Sequence, residues 1–192
     1  MTMTNILLCG VGGQGTLLAS NILAETAMLA GFDVKKSEVH GMAQRGGSVV
    51  SHVRFGSVVH SPLIRKGECD LLLSFEELET LRWSVFLRPN GLVLMNAQRI
   101  MPMTVSGGEG IYPDTISERL TKLPARVHAV DALGKARELG NSKCVNVVLL
   151  GLMAKQLPVL PRTIWEEVLE SRIPAKLLEL NKKAFEAGWG LA

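Results

Sequence analysis

The sequence is poor in cysteine, in aromatics and in excess charge. Its three cysteines, Cys9, Cys69 and Cys144, are widely spaced and form no C-x-x-C pair. That excludes a disulfide framework, and three separate thiols cannot by themselves ligate a four-cysteine cluster. His40, His52, His60 and His128 stand singly, so zinc-finger spacing is missing too. Lys plus Arg number 21 against 18 Asp plus Glu, a formal charge of +3, and aromatics make up 5%. Such a chain lacks the basic blocks and interleaved aromatics that nucleic acid requires. No apolar run approaches the roughly 18 residues of a membrane span. The polar, uncharged start does not open like a signal peptide. Neither nucleic acid nor membrane is expected as a partner, and the expected compartment is a reducing cytoplasm.

What is present is material for a core. At 47% apolar and 20% charged, the composition opposes disorder, which pairs low hydrophobicity with high net charge. A chain of this size buries roughly 70% of its unfolded surface. With no internal repeat and no low-complexity linker, one domain over residues 1–192 is expected.

The opening is the clearest structural signal. Residues 5–9 (NILLC) read as a buried strand, and Gly10-Val-Gly-Gly-Gln-Gly15 follows as a turn. Residues 16–30 carry helical spacing that Gly31 can stop, and residues 33–39 form a second strand. Strand, glycine turn, helix and strand together open a doubly wound sheet. After a glycine-rich stretch, residues 48–55 and 58–64 flank the turn residues Gly56-Ser57, the pattern of an antiparallel hairpin. A further buried strand is expected at 69–75, an apolar strand at 92–95 and another strand at 127–130. Helices are expected from a capping box at Ser74 to about Phe86 and at 132–139, 144–157 and 176–187, and a second capping box at Thr163 opens another. The fold class is therefore α/β: a three-layer, Rossmann-like, mostly parallel sheet with an inserted antiparallel hairpin.

Two clusters can carry chemistry. Gly10, Gly12 and Gly15 fit G-x-G-x-x-G between a strand and a helix, where backbone approaches a ligand and the helix N-terminus favours an anion. A nucleotide site and mere close packing of helix on sheet are both open readings. Gly13 and Gln14 set the loop apart from most dinucleotide loops by placing an extra glycine and a polar amide in the turn. Glu38 could serve as the ribose-binding acid of a nicotinamide site, or be a solvated strand end. In the second cluster, Arg45 beside Gly46 and Gly47 can form a backbone nest with a bidentate donor, or simply a tight turn. No G-x-S-x-G accompanies the histidines, and neither a catalytic residue nor a metal ligand is assigned. Cys9 reads as inert packing. Trp165 and Trp189 read as helix packing, with Trp189 also able to dock on a partner.

Taken together, residues 10–15 and 38–48 resemble the gamma domain of the 2-oxoacid:ferredoxin oxidoreductases, nearest their indolepyruvate branch. The resemblance continues through residues 51–55, Ser61-Pro62, residues 69–76, Gly140-Asn141, Asn146 and Leu150-Gly151. It implies a subunit of a complex that oxidatively decarboxylates a 2-oxoacid, forms an acyl-coenzyme A and passes electrons to ferredoxin. Thiamine diphosphate and iron–sulfur clusters serve that family. The Gly-Asp-Gly opening of a thiamine signature is missing here, as is a cluster-binding cysteine run. No cofactor is therefore expected on this chain; both belong on a larger partner subunit, with coenzyme A as a substrate contact. The isolated chain is expected to be inactive, and a homodimer is open to it. Gly10, Gly12, Gly13, Gln14 and Gly15 would face ligand or partner, and Arg45, Gly46 and Gly47 would form a second wall. The competing functions are a self-sufficient NAD(P)-binding reductase and a nucleotide-sensing module.

Overall fold

The structure, a computed structural model, describes residues 3–40, 46–102 and 112–192. Strand β1 (Thr4–Val11) runs through the middle of the sheet and is apolar on both sides. Ile6 and Leu8 enter one core while Leu7 and Cys9 enter the other, which is why the run is continuous rather than alternating. Helix α1 (Thr16–Leu29) lays Ala19, Ile22, Leu23 and Ala27 on the first face. It stops before Gly31, whose φ of 86° suits glycine.

The remaining strands are β2 (Asp33–His40), β3 (Ser48–Gly56), β4 (Cys69–Ser74), β5 (Leu87–Asn96) and β6 (Arg126–Val130). Their spatial order is β2-β3-β1-β4-β5-β6. β1, β4, β5 and β6 are parallel neighbours in sequence order, and β3 lies antiparallel between β1 and β2. Five strands thus share one direction and β3 alone is reversed. The other helices described are α2 (Glu77–Trp83), α3 (Ile116–Thr121), α4 (Ala132–Glu138), α5 (Val145–Lys155), α6 (Arg162–Arg172) and α7 (Ala175–Trp189). Helices α1 and α4–α7 cover one face, α2 and α3 the other, giving three layers.

Three local expectations are corrected. The antiparallel partner of β3 is β2, not residues 58–64, which form no strand. Side chains of the sheet hold that segment instead: Val59 N–H donates to Asp33 Oδ2 and Ile64 N–H to His52 Nδ1, while Arg54 donates to the carbonyls of Ser61 and Leu63. These bonds engage the segment's backbone without a ladder, and Pro62 could not donate to one. Helix α2 is capped by Glu76, whose carboxylate accepts Glu79 N–H, because the Ser74 hydroxyl donates instead to Glu76 O. Helix α6 begins directly after Pro161 without a side-chain cap, two residues before the start that a cap at Thr163 would give. The ring of Trp189 is used inside the chain, with the cations of Lys155 and Arg162 each 4.9 Å from its centroid.

Candidate functional site

β1 leads into α1 on one face, and β4 leads into α2 on the other. Open α/β sheets form a crevice outside the carboxyl ends of strands at such a point of divergence. Both glycine clusters sit there. Gly13 and Gly15 have φ of 103° and 83°, so the loop takes the left-handed turns that glycine permits. Gly12 N–H donates to Gly47 O at 2.8 Å, which joins the two clusters directly. Gly46 is also left-handed, at φ 75°. Arg45 lies outside the described residues.

Gln14 spans the crevice. Its Oε1 accepts Val11 N–H at 2.7 Å, and its Nε2 donates to Phe75 O at 3.0 Å and to Gln98 Oε1 at 3.3 Å. A Cβ on Gly10 would stand 2.8 Å from Gln14 Oε1 and 2.9 Å from Phe75 Cβ, so glycine at position 10 makes room for this amide. Beyond it, the buried Asn96 donates from Nδ2 to Gln98 Oε1 and accepts Ala132 N–H at Oδ1. An unbroken amide chain therefore links the ends of β1, β4 and β5 to the start of α4. The loop is no open pyrophosphate cradle, since its own amide and Gly47 occupy the first donors.

The two sides of the loop differ in charge. Toward α2 lies a hollow of about 310 Å³, lined by Gly46, Gly47, Ser48, Glu76, Glu79 and Arg82. Glu76, 1% exposed, accepts Tyr112 OH at 2.6 Å and Ile100 N–H at 3.1 Å, tying the chain on both sides of residues 103–111 to α2. Glu79, 4% exposed, accepts from the Ser48 hydroxyl and from Trp83 Nε1. Burial pushes its carboxyl above the usual range, against the smaller pull of those donors and of Arg82. Toward α5 a second hollow, about 380 Å³, is lined by Gly13, Gly15, Gln98, Leu133 and Lys143 among others, and by no carboxylate among the described residues.

Other sequence candidates fall elsewhere. Glu38 lies on β2, with β3 between it and β1, about 10 Å from β1 by ordinary strand spacing; Lys36 is bonded to it. His52 is structural, its burial holding it below the usual imidazole range while Nδ1 receives Ile64 N–H. Cys9 and Cys69 are buried; burial pushes the Cys69 thiol up to about 12 and Cys9 higher still. Among the described residues no group of three or more His, Cys, Asp or Glu is placed to hold a metal, and no helix is long and apolar enough to cross a membrane. Sequence reasoning missed Asn96, Gln98 and Lys143. Their one signal was position, since Asn96 and Gln98 directly follow an apolar strand.

Comparison with known proteins adds the following. The sequence profile described as pyruvate ferredoxin/flavodoxin oxidoreductase matches residues 5–191. Indolepyruvate oxidoreductase subunit IorB of Thermococcus kodakarensis is 42% identical over 190 residues, covering 96% of this chain and 93% of its own. The keto/oxoacid ferredoxin oxidoreductase gamma subunit of Geobacter sulfurreducens PCA has a TM-score of 0.75 at 27% identity, covering 98% of each chain. In the 2-oxoglutarate:ferredoxin oxidoreductase of Magnetococcus marinus, 31% of a longer chain covers all of this one with a TM-score of 0.78 at 20% identity, a likeness of fold.

Proposed function

Since the chain belongs to the pyruvate ferredoxin/flavodoxin oxidoreductase family, we propose that it is the gamma-type, cofactor-free subunit of a cytoplasmic complex that oxidatively decarboxylates a 2-oxoacid. The whole chain acts as one domain, the product is an acyl-coenzyme A, and ferredoxin takes the electrons. The observation that carries this reading is the similarity to an indolepyruvate oxidoreductase subunit across nearly the whole of both chains. The same relative favours an aryl 2-oxoacid as substrate.

Thiamine diphosphate would supply carbanion chemistry, and iron–sulfur clusters electron transfer, on a larger subunit. The thiols here do not fit a cluster: Cys9 and Cys69 are buried in the sheet and hold their protons, and Cys144 lies apart at the start of α5. This chain's part is to present a shaped edge. Gly10, Gly12, Gly13, Gln14 and Gly15 form the face toward coenzyme A or the larger subunit, and Arg45, Gly46 and Gly47 form its second wall. Gln14 and Asn96 hold that edge rigid.

The test is viologen and ferredoxin reduction with indolepyruvate, pyruvate or 2-oxoglutarate, by the isolated chain and by the chain co-purified with its larger subunit. Turnover is expected from the complex alone. Oxoacid oxidation by the isolated chain, or oxidation of NADPH by it, would overturn the subunit reading.

A further inference from the structure

Strand β2 is an outer edge of the sheet, and among the described residues it pairs with β3 alone. The far edge, β6, is five residues long, whereas β2 runs for eight, without proline and in unbroken register with β3 from Asp33 to His40. Open edges are commonly guarded by outward lysines, prolines or bulges. Here the lysines are paired within the chain, Lys35 with Asp33 and Lys36 with Glu38. Helix α1 lies above this edge: it packs on β2, β3 and β1, while α5 and α6 close its other flank. Lys36 donates to Asn21 Oδ1 of α1, and Leu17, Ala24 and Met28 share that side of the helix by their spacing. Leu17 is 44% exposed and Met28 59%. The only charged residue among the fourteen of α1 is Glu25, which is bonded to Arg172 of α6. By contrast α6 and α7, in the same layer, turn Glu167, Glu170, Lys176 and Lys183 to water. A helix apolar on every side is built to be covered, and the flank of α1 above β2 is bare among the described residues. On the opposite face of β2, Val39 is 50% exposed.

We infer that β2 pairs with β2 of a second copy of this chain, antiparallel about a two-fold axis normal to the sheet, with the two α1 helices meeting above it. Such an axis sets each residue against one on the same face of the sheet, so the pairing is centred on a residue that meets its own copy. The sequence of β2 is complementary to itself in one such register. Centring on Lys35, Lys36 or Glu38 sets like charges face to face, which destabilises a strand pair. Centring on Ser37 pairs residues 34–40 and opposes no like charges: Lys36 meets Glu38 of the second copy and Glu38 meets its Lys36, both on the α1 face. On the other face the stem of Lys35 covers Val39 of the second copy. Leu17 and Met28 of each α1 are then withdrawn from water at the meeting of the helices. Because β1 and β2 share one direction, the glycine-loop crevices of the two copies open at opposite ends of a continuous sheet.

Sedimentation velocity of the full chain across the micromolar range is the experiment, and a concentration-dependent dimer is expected. Met28→Lys, at an exposed helix position, should keep the fold and weaken the dimer about tenfold or more, the loss of one buried apolar side chain. Lys36→Glu and Glu38→Lys should each be monomeric, because each sets like charges across the axis. An equimolar mixture of these two should restore a dimer, since every opposed pair is then of unlike sign. Should either fail to fold, Met28→Lys decides the matter together with Ser37→Lys, which brings two ammonium groups together at the axis. Lys122→Ala, on the helix α3 that leads into β6, should change nothing. A chain that is monomeric throughout the range overturns the inference. So does a dimer unchanged in folded Met28→Lys and Ser37→Lys, whose copies must meet elsewhere, or a mixture of the two folded charge variants that stays monomeric. A monomeric chain whose Met28→Lys variant no longer joins the larger subunit would give this surface to that subunit, and overturns the inference as well. Dimer formation by a chain that joins no oxoacid-oxidising complex would reject the subunit reading alone.

Discussion

Replacing Gln14 by glutamate tests the amide bridge with almost no change of shape. The Oε1 contact to Val11 N–H survives, but the donor toward Phe75 O at 3.0 Å and Gln98 Oε1 at 3.3 Å becomes an anionic oxygen facing two acceptors. Two net hydrogen bonds of about 0.5–1.5 kcal/mol each are lost, and a charge is added in a half-buried site. A deficit of about 2–4 kcal/mol relative to Gln14 is expected at pH 8, below the 3–5 kcal/mol of a fully buried unpaired charge because water reaches the loop. Carbonyl acceptors favour the protonated acid, which can donate to Phe75 O, so the pKa of the new glutamate must lie above its unfolded value of about 4.3. A group raised in this way stabilises fully below the unfolded value, and that contribution disappears as pH rises through the folded value. The deficit should therefore be small near pH 4 and complete at pH 8, whereas Gln14→Ala should show no such dependence. Urea unfolding of the three proteins at pH 4, 6 and 8, followed by circular dichroism, measures it. A glutamate variant as stable as the parent at pH 8, or one whose deficit is flat with pH, would show that the Gln14 amide does not bridge the crevice.

Three further outcomes are expected. At the α5–α7 contact a Cβ on Gly188 would stand 1.8 Å from Val148 O, so Gly188→Ala must part the helices and should lower stability by about 1–3 kcal/mol or more in denaturant melts, while Gly190→Ala, which meets nothing closer than 3.6 Å, should leave it nearly unchanged. Glu79 is raised above 4.5 by burial, so its contribution is present below the unfolded value of about 4.3 and lost as pH rises through the folded one; Glu79→Gln should gain on the parent across that rise in urea unfolding, and a parent that gains instead would contradict it. His52 is lowered from 6.5, so the contact it makes through Nδ1 is present above the unfolded value and lost as pH falls through the folded one. Exchange protection at Ile64 N–H, corrected for intrinsic rate, should then decline on acidification while that of β1 amides holds.

The parts of the fold legible in the sequence are those set by local pattern. β1, α1, β4 and α5 each carry an apolar run of the right length bounded by glycine or polar residues, and each stands close to where the pattern puts it. The partner of β3 was not legible. Residues 58–64 resemble a returning strand, yet Asp33, His52 and Arg54 satisfy their backbone groups from the sheet, and β2 takes the ladder despite Lys35 and Lys36. That outcome depends on strand order, which no single segment encodes. The candidate site divides in the same way. Its glycines announce themselves because only glycine tolerates their φ or the neighbouring amide, but Asn96, Gln98 and Lys143 are unremarkable until separate chain segments meet at one edge of the sheet. The sign of charge on each side of the loop is likewise a product of topology. β4 delivers Glu76 and Glu79 to one flank, while the turn into α5 delivers Lys143 to the other. A loop motif alone is symmetric between those flanks; the direction in which each neighbouring strand exits decides which one receives the carboxylates.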